Sequence, residues 1–138
     1  MPHGIDERLG YVIEVCIDDG ETRFLHTSDA EGLCLKEQRS FIIENDPDML
    51  FIDGPLTYML GYAFSESDLE RSIEGIGEVL DKCDAKKTVI DHHLLRDLEW
   101  KDRIRELFES GRQIMTAAEF AGEENIMLEA RREELHGR

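Results

Sequence analysis

The stretch TVIDHH at 88–93, running directly into Leu94-Leu95-Arg96-Asp97, decides how this chain is read. Thr88, Val89 and Ile90 are β-branched and suit a buried strand, while the residues after the two histidines read as a strand-to-helix turn, a common place for function. Two more apolar runs end in the same manner: FLHTSD at 24–29 and MLFID at 49–53. A strand delivers its last side chains to one edge of a sheet. Three such strands ending on the same edge bring Asp29, Asp53, Asp91, His92 and His93 together. Carboxylate and neutral imidazole are the usual ligands of zinc, iron and manganese, so the pattern points to hydrolytic metal chemistry.

The rest of the chain supplies the frame for those three strands. LGYVIEVCI at 9–17 and TRFLHTS at 22–28 flank Asp18-Asp19-Gly20-Glu21, a strong hairpin signal. Leu33, Leu35, Phe41 and Ile42 sit among charges and predict a short amphipathic helix over 33–44, broken by Asn45-Asp46-Pro47. Ser65-x-x-Asp68 has capping-box form, and Leu69, Ile73, Ile76 and Leu80 follow at helical spacing, which predicts a helix over 66–82. A strand over 86–91 comes next, then a helix over 96–110 with Leu98, Ile104, Leu107 and Phe108 inward. Gln113–Met115 reads as a short strand, Thr116-x-x-Glu119 as the cap of a brief helix, and 123–136 as a last helix with Glu–Arg pairs. A hairpin followed by alternating helices and strands implies an α/β fold in one domain, 1–138, with right-handed crossovers where strands pair in parallel.

Composition excludes several classes. The 138 residues carry 32 acidic against 16 basic side chains, a net charge of −16. Such a surface repels phosphate backbones and argues against general nucleic-acid binding. No apolar run approaches the roughly 20 residues needed to span a bilayer, and no signal-peptide pattern opens the chain; a cytoplasmic location and no membrane partner are expected. Cys16, Cys34 and Cys83 lack CxxC spacing and read as free thiols, buried for Cys16 and Cys83. Gly75 and Gly77 lie inside a helix and match no phosphate loop, and nucleophile motifs for serine or cysteine are absent.

Each candidate has a plainer reading. Adjacent strand residues point to opposite faces, so His92 and His93 reach one site only where the strand ends; the plainer reading is two hydrogen-bonded histidines in a turn. Asp29, in Thr27-Ser28-Asp29, also suits a helix N-cap, and Asp53, before Gly54-Pro55, a turn. His3 in Pro2-His3-Gly4 is a terminal histidine with little to recommend it by itself. His26 alternates with Phe24 and reads as structural, and His136 as solvent-exposed.

Taken in order, PHGIDERLGYVIEV, FLHTSDAEG, FIDGPLTYMLGY, TVIDHHLLRDL and TAAEF…LEARREEL cover nearly the whole chain and resemble the metallo-β-lactamase superfamily. More closely, they look like the C-terminal half of an uncharacterised archaeal family of predicted metal-dependent hydrolases. Pro-His-Gly before a Gly-Tyr-hydrophobic strand looks like the third metal motif, which makes His3 a ligand. Thr27-Ser28-Asp29 looks like the fourth, whose aspartate bridges two metals. The histidine closing the strand before a helix looks like the fifth, giving His92 or His93, with His92 slightly favoured by its spacing to Arg96. The resemblance implies two divalent metals, zinc first, with iron or manganese as alternatives. Asp29 would then serve catalysis as the bridge, while Asp53 and Tyr58 orient the site or touch substrate.

The superfamily's main signature, His-x-His-x-Asp-His, is not in this chain. The resemblance therefore implies half of a four-layer αββα sandwich: a mixed sheet with an N-terminal hairpin and helices on one face. The exposed inner sheet face would call for a partner, either an N-terminal-half polypeptide or a second copy of the chain. The isolated chain would lack the other half's ligands and be inactive alone. Two alternatives stand beside this reading. One is a non-catalytic, oligomerising α/β domain. The other is a DHH-type phosphoesterase fragment, which Asp91-His92-His93 suggests but which lacks that family's Asp-x-Asp and Gly-Gly-Gly-His motifs.

Overall fold

The computed structural model describes residues 1–109 and 111–137. Its centre is a five-stranded mixed sheet in the order β1-β2-β3-β4-β5. The strands are β1 (Val15–Asp18), β2 (Arg23–His26), β3 (Met49–Asp53), β4 (Lys87–Asp91) and β5 (Ile114–Met115). β1 and β2 are antiparallel, and β2, β3, β4 and β5 run parallel. Helices α1 (Lys36–Asn45), α2 (Glu66–Lys82), and α3 (Trp100–Arg103) with α4 (Arg105–Glu109), make the successive crossovers. The α/β class, the hairpin and the alternation of helix with strand are as expected from the residue pattern.

Local chemistry accounts for the boundaries. In the hairpin loop Asp18 accepts from the Gly20 N–H at 2.8 Å and Asp19 from the Glu21 and Thr22 N–H groups, an Asx-turn arrangement. Both predicted capping boxes form: the Ser65 hydroxyl accepts from the Asp68 N–H ahead of α2, and Thr116 from the Glu119 N–H ahead of α5 (Ala117–Phe120). Asp46 takes the left-handed conformation that ends α1.

The register sorts the side chains. Cys16, Leu25, Leu50, Thr88 and Ile114 form one row, and Ile52 pairs with Ile90 on the same side. Leu25, Leu50, Ile52 and Ile90 are buried in one core with Ile42 of α1, Ile76, Val79 and Leu80 of α2, and Ile104 and Leu107 of the α3–α4 region. The opposite face carries the rows Val15–His26–Phe51–Val89–Met115 and Ile17–Phe24–Met49–Lys87. There Phe24, Phe51 and Phe120 make edge-to-face contacts at 5.3 and 5.5 Å, and Ile17 is 57 % exposed. The main helices thus share one face; α5, through Phe120, lies on the other.

Some expectations were too long. The first strand begins at Val15, and residues 9–14 run beside the N-terminal segment instead. Pro2 bridges Tyr11, and Met1 and Val12 exchange backbone hydrogen bonds. The expected helix over 96–110 is a 3-10 turn at Leu94–Arg96 followed by α3 and α4; Ser110 lies outside the described residues. Asp97 accepts from the Glu99 N–H at 2.9 Å, an Asx turn that delays the helix to Trp100. Leu98 is consequently 61 % exposed, not inward, while Ile104 and Leu107 are buried. The last helix shortens to α6 (Arg132–His136), because Asn125 is tied to Thr116 and Glu119 and Met127 adopts a positive φ. Cys34 and Cys83 are buried and Cys16 half-buried, all as free thiols. No helix among the described residues is long and apolar enough to cross a membrane.

Glu14 departs from the pattern. Its Oε1 is buried with no hydrogen-bond partner, and burial pushes the carboxyl up to about 8 from 4.5, against the pull of the N-terminal ammonium. Because the folded value is raised, protonated Glu14 supports the fold at low pH. That support is lost as pH rises from about 4.5 through about 8. Glu14→Gln should therefore raise Tm at pH 8.5 by roughly 5 °C and leave it unchanged at pH 4, measured by thermal melts at both values. An equal shift at both would refute the assignment.

Candidate metal centre

The carboxyl ends of β2, β3 and β4 meet, as the three strand endings predict, and the loops after them carry the polar side chains. Asp29 lies between two donor groups. Its Oδ2 is 3.3 Å from His3 Nε2, which is 3.4 Å from Glu31 Oε1. Its Oδ1 is 3.1 Å from His93 Nδ1 and 3.7 Å from His92 Nε2. His3–Asp29–Glu31 and Asp29–His92–His93 each present ligand atoms within 4.8 Å of one another. His3 Nε2 and Asp29 Oδ1 are buried without a hydrogen-bond partner, and a cation between them is one way to satisfy both.

Backbone strain brings these groups to one place. Ser28, Glu31, Leu33 and His92 all have φ between 53° and 62°, a costly region for residues with a Cβ and one that gathers at functional sites. At His92 the left-handed turn resolves the strand-parity problem. The His92 N–H donates to Asp91 Oδ1 at 2.6 Å, and the chain swings so that both imidazoles stand together, with ring centroids 4.3 Å apart. The other Asp91 oxygen accepts from the Ala117 N–H at 2.6 Å. Asp91 is therefore engaged by backbone and supports the turn.

His3 is held by residues far away in sequence. The Gln38 side-chain amide, fully buried, donates to the carbonyls of Pro2, Gly4 and Ala30. This clamps the N-terminal segment to the Asp29 loop. Gly4 has φ +79°, and a Cβ there would collide with the Glu31 carboxylate. Neither Glu31 as a donor nor Gln38 as a clamp stood out in the sequence; both depend on contacts across more than twenty positions.

Asp53 is 5 % exposed and its oxygens are fully used. Oδ2 accepts from the Glu31 N–H at 2.8 Å, Oδ1 from the His93 N–H at 3.2 Å, and both lie within 3.0 Å of His93 Nδ1. A carboxylate cannot donate, so His93 Nδ1 carries the proton. Burial opposes charging of His93, but the Asp53 hydrogen bond and the charges of Asp53 and Asp29 prevail and raise it above 6.5. With the proton on Nδ1, only Nε2 of His93 has a lone pair to offer. His92, whose ring makes no hydrogen bond among the described residues, is the freer of the two imidazoles. Tyr58 lies parallel to the His93 ring, with centroids 6.2 Å apart. His26, read as structural, is exposed, lies 6.4 Å from the Phe51 ring, accepts from the Ser28 N–H through Nδ1, and also lines a cleft of about 310 Å³ with Phe51, Val89, Asp29, Asp91 and His92. His136 lies exposed in α6, away from these groups.

No family model and no solved structure matches the chain. It is similar to a UPF0282 protein of Korarchaeum cryptofilum, 46 % identical over 138 residues, which takes in 97 % of this chain and 46 % of that protein. A UPF0282 protein of Metallosphaera sedula is 44 % identical over 139 residues, 98 % of this chain and 45 % of the relative. One of Saccharolobus solfataricus is 41 % identical over 140 residues, 99 % and 45 % respectively. The chain spans about half the length of the curated relatives it matches.

The Asp53–His93 contact gives a pH-dependent test in metal-free chain. Because His93 is raised, its contribution to stability is present below pH 6.5 and is lost as pH climbs through the folded value. Asp53→Asn should cost about 2–4 kcal/mol at pH 6 in urea unfolding and clearly less at pH 9, with the His93 titration followed by NMR moving down. An equal cost at both pH values would show that the interaction is not one of charge.

Proposed function

We propose that this chain supplies one side of a dinuclear, metal-dependent hydrolytic centre of the metallo-β-lactamase type, and that it acts on an ester or phosphodiester bond. The observation that carries the reading is the position of Asp29, whose two oxygens face separate donor groups. The residues fit divalent metals by two criteria. The donors are imidazole and carboxylate, the set suited to zinc, then iron or manganese, and two donor atoms are buried with no partner. Asp29 would bridge, His3 and Glu31 would serve one metal, and His92 the other, with His93 the second candidate. When bound, such metals supply Lewis acidity and bring the pKa of a coordinated water toward 7.

The protein's own groups have distinct tasks. Asp53 holds the Nδ1 proton of His93 and fixes its ring, as carboxylates behind metal-site histidines do. Tyr58 limits the other face of that ring, and Gln38 keeps His3 at Asp29. The cleft beside His92 leaves room for the scissile group. As a test, the purified chain should take up at least about one equivalent of zinc by metal analysis. Asp29→Ala and His92→Ala should lower uptake at least tenfold; uptake unchanged in both variants would sink the reading.

The open sheet face supports the half-sandwich architecture. Val15 and Ile17 are exposed there and Phe24, Met49 and Phe51 only half-buried, and the curated relatives are about twice as long as the chain. We infer that an N-terminal-half polypeptide, or a second copy of this chain, covers that face and supplies the remaining ligands. Light scattering of the chain by itself should show self-association that Ile17→Lys abolishes. A monodisperse monomer would remove the second copy as the covering partner.

A further inference from the structure

Most lysines and arginines of this acidic chain lie within ion-pair distance of a carboxylate. Among the described residues Arg96, like Lys36 and Lys87, does not, and of the three it is the one that stands beside the candidate site, where carboxylates crowd. Its Nη1 donates to the Tyr58 hydroxyl at 3.2 Å, and its guanidinium carbon lies 5.4 Å from the Tyr58 ring centre. Tyr58 stacks on His93 at an interplanar angle of 6°, and the charge of Arg96 is felt at His93. A neutral hydroxyl and an aromatic face orient a guanidinium without cancelling its charge. With 32 acidic side chains against 16 basic ones, a cation left in this condition beside His93 is available for a ligand that the chain does not itself supply.

We propose that Arg96 and Tyr58 form an oxyanion subsite that holds a phosphate or carboxylate group of the substrate beside His92 and His93. The guanidinium fork presents two parallel N–H donors that match either group, and the phenol adds a third donor. The word substrate rests on the hydrolase reading; binding of the anion by the pair requires no metal. The net charge of −16 repels extended polyanions, so the ligand is a small molecule with one such group near its scissile bond.

The test is an NMR titration of the full, metal-free chain in chelator, with inorganic phosphate in one arm, acetate in a second and chloride as the ionic-strength control. Saturable shifts of the Arg96 side-chain N–H and of the Tyr58 and His93 amides are expected in at least one oxyanion arm, and the tighter arm names the group. Arg96→Gln should weaken binding at least tenfold and Tyr58→Phe several-fold, while Arg96→Lys, which keeps the charge, should retain part of it. Shifts that chloride reproduces, that persist in Arg96→Gln, or that fail to saturate in both oxyanion arms would overturn the subsite. Zinc uptake measured on the same samples separates the two ideas. Anion binding without zinc uptake would overturn the hydrolase reading alone, and zinc uptake without anion binding would overturn the subsite alone.

Discussion

The Asp53 carboxylate, buried at the end of β3, ties together the two loops on which the candidate centre depends. One oxygen receives the Glu31 N–H from the loop after β2, the other the His93 N–H from the turn after β4, and the His93 ring closes on both. The Asp53 N–H in turn donates to the Thr27 hydroxyl at 3.0 Å. Parallel pairing fixes the three strand ends relative to one another but says nothing about the loops beyond them. Four backbone turns with positive φ would relax without a partner. A buried charge with every lone pair used is an interaction strong enough to hold them.

The same arrangement concentrates negative charge. Facing oxygens of Asp29 and Glu31 lie within 4.8 Å of each other, which at an effective dielectric near 20 costs about 3 kcal/mol if both are ionised. The molecule relieves this in part. Burial lifts the Glu31 carboxyl above 4.5, against the attraction of His3 and His93, while Asp53 and Asp29 favour a proton on His93. Hydrogen bonding does not finish the task, since His3 Nε2 and Asp29 Oδ1 remain without partners. Buried polar atoms in a folded protein are usually paired, and it is this remainder on which the proposed metal site rests.

What the residue pattern revealed follows from range. Strand endings, capping boxes and the hairpin are written in neighbouring residues, and they placed Asp29, Asp53, Asp91, His92 and His93 at one edge. Asp91 and Asp53 looked like ligands there because a sequence shows that a carboxylate arrives and not what already occupies it. Their oxygens are taken by Ala117, His92, Glu31 and His93. His3 was visible only through resemblance, because its position depends on a Gln38 amide reaching back across more than thirty residues. The late start of the helix after Arg96 was hidden for a related reason: Leu98, Ile104, Leu107 and Phe108 suggest a helical face, yet the Asp97 side chain bonds locally and delays the helix.

In the proposed half-sandwich the open sheet face and an incomplete donor set would be two consequences of one architecture. Val15, Ile17, Phe24 and Phe51 share the face from which His26 projects, and the cleft bearing His26, Phe51 and Val89 reaches Asp29 and His92. Any body that covers this apolar face must also come up against the cleft and its acidic rim. Hydrophobic burial would then bring the partner's side chains to the edge where Asp29 Oδ1 and His3 Nε2 lack partners. Burial of the sheet and completion of the donor set would occur in the same docking step, so association and metal affinity in this chain should be coupled through the edge that Asp53 holds in place.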